Sequence, residues 1–351
     1  MTPPTRRLLI ISDTLAGGLG ALVRLQAQWF TCRHWDVVVA APADGTRPNA
    51  PARFEELPLV DSARRAAQMG RARRAVRDLR GQLDANTVVH VHGMRSLLLA
   101  RLAGLPTPFV SVHGAHPDVT DPPGYAHLRR LWLRTLPRLC VRAVTGEPGY
   151  ASPWIYEPHA SPLLHDLDVL AMPTGDVATI GWLGGLDSRK QPELFVRAIA
   201  EAARRGATIR GLLAGSGARA GEIARLVHEL RAPVELLGQA DATDVLRRSW
   251  AFALFARSEG TPLAVMEAMW AGRTVVGSPV PGIELLVGDT GTIAGSVDAA
   301  ADAFMRIASD RDWATRQGLA AAERVRSLVG PWTPWDTTEP HYLRHLETAS
   351  G

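Results

Sequence analysis

The sequence predicts an α/β protein made of two doubly wound parallel-sheet domains. Each half opens with a short apolar segment that leads into a glycine-containing loop and a helical pattern, at residues 7–31 and again at 178–206. Strand and helix patterns continue to alternate in both halves, which is the order that produces a parallel sheet. A proline-rich stretch without long periodic segments, residues 149–174, suits a connection between them.

Composition is typical of a soluble globular protein, with 46% hydrophobic and 21% charged residues. No apolar run reaches the roughly 20 residues of a membrane span, and RRLLIISD is too short for a secretory signal. Cys32 and Cys140 form neither a disulfide framework nor a metal spacing, so we expect a cytoplasmic protein. Only Lys190 among the 39 basic residues is a lysine. We attribute this bias to a GC-rich genome and expect no nucleic-acid partner.

In the first domain, Arg7–Asp13 is a predicted strand, followed by the loop TLAGGLG and a helix over 19–31. Gly17 and Gly18 allow the backbone to approach a ligand at the carboxyl end of that strand. Further along, residues 62–80 form an arginine-rich helical pattern. Its simplest interpretation is a solvated amphipathic helix, and the alternative is a basic face that lies on the inner surface of an anionic membrane.

Two predicted strands, TVVHVHG and PFVSVHGAHPD, end in histidine. Strand alternation places His90 and His92 on one face, so that with His113 and His116 they could be imagined as a metal site. No carboxylate follows in ligand spacing. The Asp-x-Asp triplets at 166–168 and 310–312 do not follow hydrophobic strands as metal-binding triplets do. We therefore predict neither a metal nor another cofactor.

The most informative stretch is RSEGTPLAVMEAMWAGRTVVGS, residues 257–278. Thr261 is expected to cap a helix whose first turn contains Pro262. The helix is predicted over Leu263–Ala271, and Gly272 would stop it.

Every side chain of this helix is apolar except Glu267, and a helix that is apolar on all sides is normally buried. Glu259 lies eight residues earlier, in the loop before the helix. The two carboxylates thus flank a helix N-terminus, which favours an anion. Hydrogen-bond acceptors beside an anion site suit a ligand with hydroxyls and phosphate, such as a sugar nucleotide. The alternative is that Glu267 pairs with a core arginine and Glu259 is merely exposed.

The segment S-E-G-T-P-L-A-V-M-E-A-M-x-A-G resembles the E-x7-E signature of retaining glycosyltransferases with the GT-B fold, family 4 (group 1) in particular. The resemblance implies two Rossmann-like domains that face a cleft. It implies that Glu259 touches the transferred sugar and that Glu267 holds the ribose hydroxyls of the donor. The resemblance also implies that residues between the two glutamates hold the sugar and the phosphate, namely Gly260, Thr261, Pro262 and Leu263.

The segment GGLDSRK resembles the G-R-L-x-x-x-K loop of the same family. Lys190 matches the lysine that contacts the donor diphosphate, and it is the only lysine of the chain. The arginine of the motif is replaced by Gly185, so one expected cation is missing. Arg189 is the candidate to supply that charge.

Weaker resemblances cover much of the remaining chain. The family's glycine-rich loop, here Gly17 and Gly18, faces the donor phosphates. His113, in V-x-x-H-G, resembles a strand-end histidine near the reacting sugar, and the alternative is an ordinary loop histidine. From the resemblance we draw an acceptor domain over 1–168, a donor domain over 169–330, whose segment 281–286 passes the donor pocket, and a helix over 331–351 that crosses back.

The sequence therefore predicts a retaining, metal-independent transferase that moves a hexose-type sugar from a nucleotide diphosphate to a hydroxyl of a natural product, lipid or glycan. The candidate catalytic residues are His113, Lys190 and Glu259, and neither glutamate is assigned as a nucleophile. Two other classes stay open: a nucleotide-sugar 2-epimerase of the same fold, and a catalytically silent nucleotide-sugar-binding partner, which Gly185 favours.

Overall fold

The computed structural model of this chain describes residues 5–15, 17–49, 51–58, 65–112, 143–145, 154–156, 167–329 and 335–350. The predicted α/β class is confirmed, because the described strands form two parallel sheets. The chain divides into two compact units, of which the first includes Met1–Ala115 and Thr333–Gly351 and the second includes Leu163–Trp332. The domain boundary predicted from the sequence, after residue 168, remains a prediction.

The sheet of the first unit has the strand order β3-β2-β1-β4-β5-β6-β7. Its strands are β1 (Arg7–Ser12), β2 (Asp36–Ala41), β3 (Arg53–Glu56), β4 (Thr87–His92), β5 (Phe109–Val112), β6 (Ala143–Thr145) and β7 (Trp154–Tyr156). The helices described between them are α1 (Gly17–Cys32), α2 (Arg65–Arg80) and α3 (Met94–Leu102). The strand order reverses between β1 and β4. Open parallel sheets bind ligands beyond the carboxyl ends of their strands at such a point.

Near-continuous apolar runs identify the central strands, because a parallel sheet is covered on both faces. In β1, residues Leu8 to Ile11 are buried. The edge strands lack this signal, so β3, with mainly exposed side chains, was not predicted. Strand β7 lies inside the stretch 149–174 that the sequence analysis interpreted as a connection, and three residues are too few to show a period.

The sheet of the second unit has the order β10-β9-β8-β11-β12-β13. Its strands are β8 (Ala178–Leu183), β9 (Ile209–Ala214), β10 (Val234–Gly238), β11 (Ala251–Leu254), β12 (Thr274–Gly277) and β13 (Thr292–Ile293). Its helices are α4 (Pro192–Arg204), α5 (Ala220–Glu229), α6 (Ala242–Arg247), α7 (Leu263–Trp270), α8 (Pro281–Val287), α9 (Val297–Ser309) and α10 (Arg311–Val329). Here the order reverses between β8 and β11, so the loops after these two strands adjoin the ligand-binding edge.

The C-terminal helix α11 (Glu339–Ser350) packs on the first sheet. Tyr342 is fully buried, with its ring 5.3 Å from that of Phe30 and 4.7 Å from that of Phe109. At the start of the helix, Glu339 accepts a hydrogen bond of 3.0 Å from Nε1 of Trp35. None of the helices described in either unit is both long enough and apolar enough to span a bilayer.

The N-cap of helix α7 lies one residue later than the N-cap predicted from the sequence. Its N-cap is Pro262, not Thr261, because the carbonyl oxygen of Pro262 accepts the first helical bonds, from the N–H groups of Val265 and Met266. The expected stop is confirmed, since Gly272 follows the helix with φ +75°. A left-handed glycine is the usual way to end a helix.

Candidate functional site

Two loops meet at the carboxyl edge of the second sheet. One follows β8 and contains residues 184–191; the other follows β11 and contains residues 255–262. The backbone N–H of Arg257, in the second loop, donates to the carbonyl oxygen of Arg189, in the first, over 2.9 Å. The side chains of both resemblance motifs are thereby brought to one place.

The loop after β8 is shaped by Asp187. Its Oδ1 accepts hydrogen bonds of 2.9 Å from the backbone N–H groups of both Arg189 and Lys190. A β carbon at Gly185 would lie 3.3 Å from the other oxygen of this carboxylate. The glycine that departs from the family's motif therefore leaves room for a carboxylate that holds the turn.

A second glycine loop supports the first one. The backbone N–H of Leu186 donates to the carbonyl oxygen of Ser216 over 2.9 Å. A β carbon on Gly215 would overlap the carbonyl oxygen of Gly184, and Gly215 has φ +150°. No role was predicted for this G-S-G segment from the sequence, although glycines directly after a strand are the signal that could have identified it.

Both cations of the first loop pair with one carboxylate. Nζ of Lys190 lies 2.5 Å from Oε1 of Glu259, and the Arg189 guanidinium contacts the same oxygen. The Arg189 guanidinium also donates to the carbonyl oxygen of Ser258 over 3.3 Å. The side chain of Lys190 is 14% exposed and that of Glu259 is 9% exposed, whereas that of Arg189 is 42% exposed. The structure thus places two cations and one carboxylate of the predicted site in direct contact.

Glu267 is buried within α7, as expected. Its neighbours in the helix, including Val265, Met266, Ala268 and Met269, are buried too. A carboxylate among apolar groups is costly unless it is hydrogen bonded.

Helix α8 packs end-on against the loop that contains Glu259. A β carbon on Gly282 would overlap the carbonyl oxygen of Gly260 and approach that of Glu259. At the other end of α8, Arg324 donates to the carbonyl oxygens of Leu285 and Leu286 over 2.7 and 2.8 Å. The segment 281–286, which the resemblance placed near the donor, therefore fixes the position of this loop.

The predicted residues of the first unit are described less fully. Gly17 and Gly18 are exposed at the start of α1, and Gly17 has φ +59°. The glycine with the close backbone contact is Gly20, where a β carbon would overlap the carbonyl of Leu15. His113 lies outside the described residues, as does His116.

Asp13, directly after β1, is a partly buried acidic group that was not predicted as a site residue from the sequence. Burial raises the pKa of this carboxyl, although a 2.5 Å hydrogen bond from Oγ of Ser96 and the nearby charge of Arg95 act in the opposite direction. Its signal in the sequence is a carboxylate at the end of an apolar strand.

The candidate metal ligands have other partners. Nε2 of His90 lies 2.7 Å from Oγ of Ser111, while Nδ1 contacts the Tyr342 hydroxyl. Nε2 of His92 lies 2.7 Å from Oε1 of Gln26. Asp310 caps α10 by accepting from the N–H of Trp313, and Asp166 lies outside the described residues. Among the residues that the structure describes, no three His, Cys, Asp or Glu side chains cluster as metal ligands would.

Comparison with known families agrees with the motifs of the second unit. Residues 177–310 match the family described as glycosyl transferases group 1. This range contains both loops of the site and helices α7 and α8. No curated protein matches the sequence.

Solved structures with little sequence identity share the fold. Sucrose-phosphate synthase from Thermosynechococcus elongatus is 17% identical, and the match covers 99% of this chain and 100% of that one with a TM-score of 0.81. The pneumococcal O-GlcNAc transferase GtfA, solved with UDP and GlcNAc, is 11% identical, with coverage of 99% and 100% and a TM-score of 0.71. Anabaena HepE, solved with UDP and glucose, is 15% identical, with coverage of 98% and 99% and a TM-score of 0.66. The fold is thus the GT-B fold.

Proposed function

We propose that this chain is a glycosyltransferase that moves a hexose-type sugar from a nucleotide-diphosphate donor to an acceptor hydroxyl. The observation that carries the proposal is the contact of Lys190 and Arg189 with Glu259. It unites two motifs that lie 70 positions apart in the sequence and that both fall within the range matched by group 1 glycosyl transferases.

The chemistry of the transfer fits these groups. Negative charge develops on the diphosphate as its bond to the sugar breaks, and fixed cations beside it stabilise that charge. Lys190 and Arg189 are those cations. Glu259 is a hydrogen-bond acceptor for sugar hydroxyls, and Glu267 is one for the ribose of the nucleotide.

The donor and the stereochemistry are the finer parts of the proposal. HepE was solved with UDP and glucose and GtfA with UDP and GlcNAc, which supports trying uridine diphosphate hexoses first. We propose retention of configuration, as in family 4, with the leaving phosphate as the base and neither glutamate as a nucleophile. Proton NMR of the product anomer during early turnover tests this point.

Metal independence is proposed on the same charges, because side-chain cations do for the diphosphate what a divalent ion does in metal-dependent enzymes. Activity is expected to survive exhaustive dialysis against EDTA. Loss of activity on chelation with recovery in manganese or magnesium would contradict the mechanism.

We further propose a cytoplasmic protein whose first unit contacts the inner face of the membrane when the acceptor is a lipid. The described end of α2 buries Ala72, Val76 and Leu79 and exposes arginines. The adjacent helix α3 exposes Leu98 and Leu102. Sedimentation with anionic vesicles, compared with vesicles of neutral phosphatidylcholine, tests this contact, and equal binding to both would oppose it.

A thermal-shift screen of nucleotides and nucleotide sugars tests the main proposal, because a ligand that binds the folded state raises the unfolding midpoint. The preferred nucleotide sugar is then incubated with natural-product, lipid and glycan acceptors. Transfer supports the proposal. An isomerised nucleotide sugar supports the epimerase, binding without turnover supports the silent partner, and failure of every nucleotide to stabilise the chain contradicts all three.

A further inference from the structure

Arg257 lies at the junction of the two loops of the site. Its backbone N–H donates to the carbonyl oxygen of Arg189, and it lies two positions before Glu259 in the sequence. Neither of the two motif resemblances assigned it a role. Within the described part of the chain, the Nε of Arg257 is buried and has no hydrogen-bond partner.

The residue as a whole is only partly buried, but a buried Nε–H without a hydrogen-bond partner is unusual. Buried polar groups in native proteins are nearly always hydrogen bonded, and a group that is not bonded calls for an explanation such as a ligand. The nearby carboxylates do not supply a partner for this N–H, because Glu259 is shared by Arg189 and Lys190. Asp187 accepts from backbone N–H groups. Among the residues that the structure describes, no acidic side chain therefore pairs with Arg257, the third cation of the site.

We propose that Arg257 is a third diphosphate-binding cation of this site. The inference rests on the proposed function and names the group that makes up for Gly185. A diphosphate offers several charged oxygens, and a guanidinium binds such oxygens through a planar pair of donors. Because Arg257 is not paired with Glu259, it binds the diphosphate without competition from that carboxylate, whereas Lys190 and Arg189 bind it in competition with Glu259.

Inorganic pyrophosphate is the probe, since it tests the subsite without knowledge of the base or the sugar. Its Kd is measured by calorimetry for the wild type, Arg257→Gln, Arg257→Lys and Arg248→Gln. The last is the matched control, because Arg248 is an exposed arginine of the same unit paired with Glu235 at 2.5 Å. We expect Arg257→Gln to raise the Kd roughly tenfold, Arg257→Lys to raise it less, and Arg248→Gln to leave it unchanged.

A structural role for Arg257 would lower the unfolding midpoint of Arg257→Gln and leave its pyrophosphate Kd as in the wild type, and this result overturns the proposal. Absence of pyrophosphate binding to the wild-type chain overturns it as well. If Arg257→Gln does not fold, phenylglyoxal modification of the wild type decides. Pyrophosphate should protect Arg257 but not Arg248, as read by peptide mass spectrometry, and equal modification of Arg257 with and without pyrophosphate overturns the inference.

The proposed function can fail separately from this assignment. Pyrophosphate binding that depends on Arg257, together with no turnover of any nucleotide sugar, keeps the anion site and removes the transferase. Turnover of a nucleotide sugar with an unchanged pyrophosphate Kd in Arg257→Gln keeps the transferase and removes the role of Arg257.

Discussion

At the scale of residues, Lys190 and Arg189 contact the same oxygen of Glu259 but differ in exposure. Solvent and salt screen an exposed charge much more than a nearly buried one. Lys190 is therefore expected to contribute more to diphosphate binding than Arg189, although both contact Glu259.

Lys190→Ala is expected to lower kcat/KM roughly 10²–10³-fold, the size of loss seen when one preorganised electrostatic group is removed from an active site. Arg189→Ala is expected to lower it less. Single-turnover assays with the donor found by thermal shift measure both. If Arg189→Ala abolishes turnover while Lys190→Ala behaves like the wild type, the two roles are reversed.

Glu267→Gln is expected to weaken nucleotide binding and to leave the fold intact, because the amide has nearly the same shape without the charge. A hydrogen bond to a charged group contributes about 1.5–3 kcal/mol, which corresponds to a Kd raised roughly 10- to 100-fold. Calorimetry with the preferred nucleotide measures the effect. An unchanged Kd would show that Glu267 does not hold the ribose.

At the scale of elements, helix α8 supports the loop that carries Glu259. The support depends on Gly282, where a side chain would overlap the backbone of Gly260. Arg324 holds the opposite end of the helix through two carbonyl oxygens. A backbone contact of this kind transmits displacement directly, because neither partner can change rotamer to relieve it.

Gly282→Ala is expected to destabilise the chain by about 1–3 kcal/mol, the usual cost of overpacking, and to raise the KM for the donor by displacing the Glu259 loop. Gly221→Ala is the control, since a β carbon there meets nothing within 4 Å and Gly221 lies in α5. It is expected to be neutral or to stabilise by up to about 1 kcal/mol. Equal urea midpoints and equal KM values for the two variants would contradict the proposed support.

At the scale of the whole molecule, the last helix completes the core of the first unit although it follows the second unit in sequence. Tyr342 is buried against Phe30 and Phe109, and its hydroxyl contacts His90. The core of the first unit is therefore incomplete until helix α11 has been made.

Tyr342→Ala is expected to lower the free energy of unfolding by about 3–5 kcal/mol, as for other buried aromatic residues. Urea unfolding followed by tryptophan fluorescence measures the change, because Trp35 lies 6.0 Å from the Tyr342 ring. Arg344→Ala, on the exposed side of α11, should stay within about 0.5 kcal/mol of the wild type. A similar loss in both variants would show that the helix contributes through its surface.

The sequence alone determined the features that depend on local periodicity and chemistry. The apolar run of β1 predicted a buried strand, the pattern around Glu267 predicted a buried helix with one carboxylate, and Gly272 predicted its end. These succeeded because a strand or a helix has a fixed period and because only glycine readily takes the left-handed stop.

Only the tertiary structure decided how distant segments pair. Arg189 and Glu259 meet because β8 and β11 are neighbours in the sheet. A local sequence pattern does not predict this strand order. The contact of Gly282 with Gly260 and the buried Nε of Arg257 follow from the same junction of loops. Propensity and period act over a few residues, whereas these contacts depend on which strands lie side by side. The order of the strands therefore decides which charges share the site.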